Sequence, residues 1–188
     1  MTIIVRSSNR AYLSPNVFTS MDKYLHASAN LLVFNPPTVP VIEIREGSLS
    51  LELQEKVVFS VTGDAKIIAD DKQQDPWKAS IAQKTINLST DRVAYLAIKG
   101  LTPPTNILQP LKPETMLTAV NPSNVPEKIL MALKVPQVLR ISNSDWLESI
   151  SRLQRHISLV TDAVQRGAEL VRIKINGGEF EAWVLELE

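Results

Sequence analysis

The sequence predicts a mainly β protein with a few helices, an α+β fold built on antiparallel strands. Three observations carry this. From about residue 41 to 98 apolar side chains recur with a period of two. Helical spacing is confined to short stretches near 20–33, 127–133 and 144–156. The chain then closes on Asn176-Gly177-Gly178 between two alternating runs, which reads as a hairpin.

Residues 2–6 (TIIVR) read as a short strand. The spacing predicts a helix over about 20–33, with Thr19 or Ser20 placed to cap it. Met21, Leu25, Ser28 and Leu32 share one stripe, with Tyr24 and Leu31 beside it. Asn35-Pro36-Pro37 stops this helix, because proline lacks an N–H and restricts its predecessor. In the β region Ile42 and Ile44 alternate with Glu43 and Arg45; after Gly47, Leu49, Leu51 and Leu53 alternate with Ser48, Ser50 and Glu52. The denser apolar runs 57–61 and 93–98 fit more deeply buried strands. Turns at Gly63-Asp64, Asp70-Asp71 and Asp75-Pro76 suggest an antiparallel sheet or barrel.

Six of the twelve prolines lie between 101 and 126, which reads as a stiff connector. It separates an expected first domain, 1–100, from a smaller α+β half, 127–188. Asn124, Pro126 and Glu127 look like a helix start, with Ile129, Leu130 and Leu133 on its apolar face. A further helix is expected to open at Ser144, with Leu147, Ile150 and Leu153 inward, Trp146 nearby and His156 at its end. In the terminal hairpin Val171, Ile173 and Ile175 alternate with Arg172 and Lys174, and 180–187 runs back.

Composition excludes several functions. At 44% hydrophobic and 21% charged residues, the 188-residue chain is ordinary globular material. Lys+Arg and Asp+Glu are both 20, so the basic excess that phosphate neutralisation requires is missing and no nucleic-acid partner is expected. There are no cysteines, hence no disulfide, thiolate nucleophile or cysteine metal site. No run is long enough to span a bilayer, and Arg6 and Arg10 follow rather than precede the short N-terminal apolar run. No membrane partner is expected, and the cytoplasm is the expected compartment.

Chemistry-bearing residues are sparse. His26 and His156 are the whole imidazole supply, without HxxxH or HxH spacing, so structural roles are favoured and no metal site is expected. Asp64, Asp70, Asp71 and Asp75 cluster in turns, where aspartate bonds nearby backbone more often than it does acid–base work. Val61-Thr62-Gly63-Asp64 draws notice because a glycine after a buried strand lets backbone approach a ligand. Trp77, after Asp75-Pro76, could line a groove, but a lid over the core edge is favoured. No P-loop, GxGxxG or GxSxG motif is present.

The order of elements resembles one family. Ser20-Met21-Asp22, Ala29-Asn30 and Leu32-Val33-Phe34-Asn35 resemble its "AMD…AN.LVGN" helix. Val61-Thr62-Gly63-Asp64 stands for its "LTGA", Pro76-Trp77 for its "P.W", and residues 92–100 (RVAYLAIKG) for its "RAYLAVAGG". This is the biotin-dependent carboxyltransferase group, which takes in allophanate hydrolase subunit 2, KipA and a 5-oxoprolinase subunit. The likeness holds over roughly 14–100, and 138–162 more distantly resembles the opening of the family's second half. The family's "TTVQD.GR" and "QTTGGYP" segments are missing.

The resemblance implies two small cyclophilin-like β-barrel-type halves and a shortened, catalytically degenerate member that binds a ligand or a partner, with no cofactor. The alternative is a subunit, inactive alone, of an amide or lactam hydrolase or carboxyltransferase acting in 5-oxoproline, urea or allophanate metabolism. A homologous subunit or self-association is the implied partnership. No catalytic residue transfers; Asn30, Thr62, Gly63, Asp64 and Trp77 are the family-like positions expected to border a pocket. Parallel strands in 40–100 would make the likeness chance.

Overall fold

The computed structural model describes residues 1–103, 106–120, 126–135, 145–175 and 178–185. Strand β1 runs Thr2–Ser14, well beyond the expected short strand. A 3₁₀ turn, Val17–Thr19, leads into helix α1, Lys23–Leu32. The cap is Asp22, whose side chain accepts from the Leu25 N–H; Asn16 caps the 3₁₀ turn instead of Thr19 or Ser20 capping α1. Met21 therefore lies before the helix and is exposed, while Tyr24, Leu25, Ser28 and Leu32 are buried as the stripe requires. The prolines end the helix as expected. Asn35 secures that stop: its Nδ2 donates to Asn30 Oδ1 and Ile98 O, and its Oδ1 accepts from Gly100 N.

Strands β2 (Val41–Leu53), β3 (Val57–Gly63), β4 (Lys66–Ala69), β5 (Lys72–Gln74), β6 (Ala79–Ala82) and β7 (Thr85–Ile98) follow. All their pairings are antiparallel, so the parallel arrangement that would have made the family likeness chance is not found. The Asp70-Asp71 turn joins Ala69 to Lys72 with φ of 48° and 63°, the left-handed pair that suits a two-residue hairpin. Asp70 also accepts from the N–H groups of Gln83, Lys84 and Thr85. Burial opposes its ionisation, but these backbone bonds outweigh it and hold its pKa below the usual range. Turn chemistry is what this aspartate does.

The stretch 101–126 does more than connect. Short strands β8 (Leu101–Thr102), β9 (Gln109–Pro110) and β10 (Met116–Ala119) lie in it; β9 and β10 pair with β1, and β8 with β10. Ten strands thus form one sheet among the described residues, in the path β5-β4-β7-β2-β1-β10-β8, with β3, β6 and β9 beside it. The path is open. Among the described residues no pairing joins its ends, so the expected barrel-type closure is not found.

A crease crosses this sheet. The β1–β2 register shifts between Asn9 and Ala11, and the β2–β7 register shifts between Arg45 and Gly47. Arg10 and Glu46 take positive φ there, 51° and 45°, and Arg10 Nη1 meets Glu46 Oε2 at 2.7 Å. On the far side β3 pairs with the end of β7 and β4 with its start, leaving Asp64-Ala65 opposite the interruption. One extra residue per strand bends a sheet and re-aims its side chains. That is why the buried set of β2 switches from Ile42 and Ile44 to Leu49, Leu51 and Leu53.

One core lies on the sheet face built from Ile3, Leu13, Ile44, Leu51, Phe59 and Leu96. The other joins Tyr95 and Ala97 to helix α1, to α2 (Glu127–Ala132) and to α3 (Trp146–Gln165). Ile129, Leu130 and Leu133 are buried as expected. Asn124 and Ser144 lie outside the described residues. Helix α3 is longer than expected: Ile150, Leu153, Ile157, Val160 and Val164 form its buried stripe, each contributing about 1.5–3 kcal/mol. Leu147, expected inward, is 62% exposed. The helix ends at Gly167, φ +90°, where Gly167 N donates to Val164 O and Ala168 N to Ala163 O, a stop that favours glycine. His156 is therefore inside the helix and has no dipole interaction at a terminus. Strands β11 (Glu169–Ile175) and β12 (Gly178–Val184) form the expected hairpin, whose turn at 176–177 is outside the described residues. No helix among the described residues is long and apolar enough to cross a membrane.

Candidate functional site

Where β3 ends at the crease, a cleft of about 490 Å³ opens. Gly63 and Asp64 line it beside Arg92 and Val93 of the neighbouring strand β7, and Tyr24, Leu25, Pro76 and Trp77 form the remainder. Its size is that of small-molecule pockets. Gly63 has φ +95°, and a Cβ there would lie 2.4 Å from Val93 O. Only glycine permits this approach of the two strands, and it leaves the wall without a side chain.

Trp77 is the second unusual position. It has φ +63°, uncommon for a bulky residue, yet both its backbone groups are used: its N–H donates to Val61 O at 2.7 Å and its carbonyl accepts from Val135 N at 2.8 Å. The indole lies 6.2 Å from the Tyr24 ring, centroid to centroid, and is 8% exposed. It is the lid over the core edge and a cleft wall at once. Asp64 and Arg92 are both exposed. Among the described residues neither side chain makes a hydrogen bond or ion pair, so opposite charges face one cleft without neutralising each other.

Gly63, Asp64 and Trp77 are thus brought together, whereas Asn30 and Thr62 are not. Both are fully buried. Thr62 Oγ1 donates to Leu25 O and Asn30 Nδ2 to Val39 O, which pins α1 to the sheet. They are framework. Tyr24, Leu25, Pro76, Arg92 and Val93 line the cleft without having been foreseen there. The polar run Ser89-Thr90-Asp91-Arg92, interrupting a buried strand, was the available signal.

Beneath α1 lies a separate polar network. His26 is fully buried, with Nδ1 2.6 Å from Ser20 Oγ and Nε2 2.7 Å from Val39 O. Burial lowers its pKa to about 4, although the Val39 carbonyl pulls the other way. Buried Glu43 accepts from Met21 N and from Arg45 Nε, and Tyr95 Oη accepts from Asp22 N. Burial, then the Glu43 carboxylate, push the Tyr95 phenol well above its ordinary value. The cleft lining includes none of these residues, so the network orients α1 rather than meeting a substrate. Among the described residues no cluster of three or more His, Asp or Glu could hold a metal.

Residues 19–109 match the family model described as carboxyltransferase domain, subdomain A and B. No curated protein matches the chain. Among solved structures, TTHA0988 is similar with a TM-score of 0.61 at 17% identity, over 72% of this chain and 33% of that one. The urea amidolyase of K. lactis gives 0.60 at 19% identity, over 76% of this chain and 11% of that one. The urea carboxylase of Kluyveromyces lactis gives 0.59 at 18%, over 76% and 16%. At these identities the likeness shows the fold, and the chain spans a third or less of each relative's length. The resemblance read from Ser20 to Gly100 is borne out: residues 19–109 are similar to the carboxyltransferase domain, subdomain A and B.

Proposed function

We propose that this chain is a carboxyltransferase-like module that holds a small ligand in the Gly63–Asp64–Trp77 cleft and does not turn it over alone. The observation that carries the reading is the cleft's lining. It offers one carboxylate, one guanidinium, the Tyr24 phenol and apolar side chains, and no imidazole or serine hydroxyl stands among its lining residues. Such a set binds and orients; it lacks the nucleophile–base pair of acyl transfer and the second carboxylate of acid–base work. The test is a ligand-observed NMR screen of small carboxylates, amides and amines, run beside turnover assays on 5-oxoproline, urea and allophanate. Binding at the cleft without turnover is expected; turnover by the purified chain would overturn the reading.

A second reading is a subunit that completes an enzyme's site with a partner. Exposed Phe18, Met21 and Leu147, at 62–70%, offer apolar surface for such an association. Recovery of a carboxyltransferase-family subunit with the chain, and activity on mixing the two, would favour this reading.

A further inference from the structure

Resting on the reading of the cleft as a ligand site, we infer that it selects a zwitterion of amino-acid size: a molecule with an ammonium, a carboxylate and an apolar side chain. Three features of the cleft point there. Asp64, just past the end of β3, and Arg92, on β7, line the same cavity, and among the described residues neither is bridged to the other or to a third group. Opposite charges placed together ordinarily form a pair; lining one cavity unpaired, they are complementary to a dipolar guest. An ammonium donates to the Asp64 carboxylate and a carboxylate takes the Arg92 fork, both charge-assisted bonds.

Most of the remaining lining side chains are apolar, with Tyr24 among them. Leu25, Pro76, Val93 and the indole of Trp77 stand beside the two charges, so a hydrocarbon or aromatic side chain has somewhere to lie. The backbone holds the walls in place. Gly63 lets the end of β3 lie against the Val93 backbone, where a Cβ would collide with Val93 O, and Trp77 is kept at φ +63° by hydrogen bonds on both its backbone groups. A bulky residue held in a sparsely populated conformation by its surroundings is a mark of a preorganised site. A neutral or singly charged guest leaves one of the two charges unanswered, and that is the basis of selection.

The experiment uses the full chain, ¹⁵N-labelled, with three probes: L-phenylalanine, its methyl ester and its N-acetyl derivative. The ester keeps only the ammonium and the N-acetyl compound only the carboxylate. L-Phenylalanine is expected to shift the amides of Gly63 and Asp64 and the Trp77 indole N–H, with each analogue binding about tenfold more weakly. Arg92→Gln should reduce L-phenylalanine binding to the level of the ester while leaving the ester unaffected. Asp64→Asn should do the converse with the N-acetyl compound. Both positions are exposed, and unchanged melting temperatures would show that the variants fold. Analogues that bind at this cleft as well as L-phenylalanine, or variants that leave its binding unchanged, would overturn the zwitterion inference and leave the ligand-site reading standing. No shift at the cleft with any of the three, in a chain whose cleft amides do respond to other compounds of the fragment screen, would also overturn the inference alone. No response to any compound would remove both.

Discussion

His26 offers the sharpest test of how the polar network under α1 holds the fold. Its Nε2 faces a carbonyl, Val39 O, which can only accept, so Nε2 carries the proton and Nδ1 accepts from the Ser20 hydroxyl. A second proton would put an unsolvated charge in a fully buried site, which is why the pKa falls from 6.5 to about 4. Because the folded value is depressed, the unfolded chain takes up this proton first as pH falls. Stability is therefore lost between about pH 6.5 and pH 4, where the unfolded state binds one more proton than the folded one. At about 1.4 kcal/mol per pH unit, that window amounts to about 3 kcal/mol. Urea denaturation of the wild type and of His26→Gln across this range isolates the effect. Both lose stability through their carboxylates, but the wild type should fall more steeply, by about 1.4 kcal/mol per pH unit within the window. Parallel curves, or a His26 ring signal titrating near its ordinary pKa of about 6.5, would refute the assignment of a buried, neutral imidazole.

Other substitutions test the remaining supports. Gly63→Ala imposes a side chain at φ +95° and against Val93 O; a loss of about 2–5 kcal/mol by chemical denaturation is expected, together with perturbed Val93 and Ala94 amides. Asn35→Ala removes three hydrogen bonds, one to Asn30 of α1 and two to Ile98 and Gly100 at the end of β7, and should cost about 2–4 kcal/mol in the same assay. Asp22→Ala removes the α1 cap, for about 1 kcal/mol, and should hasten amide exchange at Leu25 without altering the sheet. Leu153→Ala should lower the unfolding free energy by about 2–5 kcal/mol, because its side chain is fully buried in the core that α3 shares with α1 and α2.

Much of this architecture was legible because local patterns and tertiary packing agree. The period of two over 41–98, the Asn-Pro-Pro stop after α1, the buried faces of Ile129, Leu130 and Leu133, and the terminal hairpin all emerge as read. So did the likeness to the carboxyltransferase domain, through motifs that keep their order along the chain. The errors cluster at element ends. The α3 stop lay in Gly167, whose left-handed φ ends a helix that runs on past His156, and the α1 cap is Asp22, a little later than expected. Of the five positions expected to border a pocket, Gly63, Asp64 and Trp77 line the cleft, while Asn30 and Thr62, chosen by the same motif likeness, face inward and hold α1.

Side-chain periodicity and motif order, both properties of near neighbours in the chain, were therefore enough for three things. They gave the antiparallel β character, the placement of the helices and the likeness of residues 19–109 to the carboxyltransferase domain. Three-dimensional packing was needed for the open path of the sheet, the crease through Arg10, Glu46 and Asp64, and the meeting of Asp64 with Arg92. The switch from Ile42 and Ile44 to Leu49 and Leu51 is visible within one strand. That the interruption continues across neighbouring strands depends on the register between segments far apart in the chain, and register is set by packing, which no local pattern records.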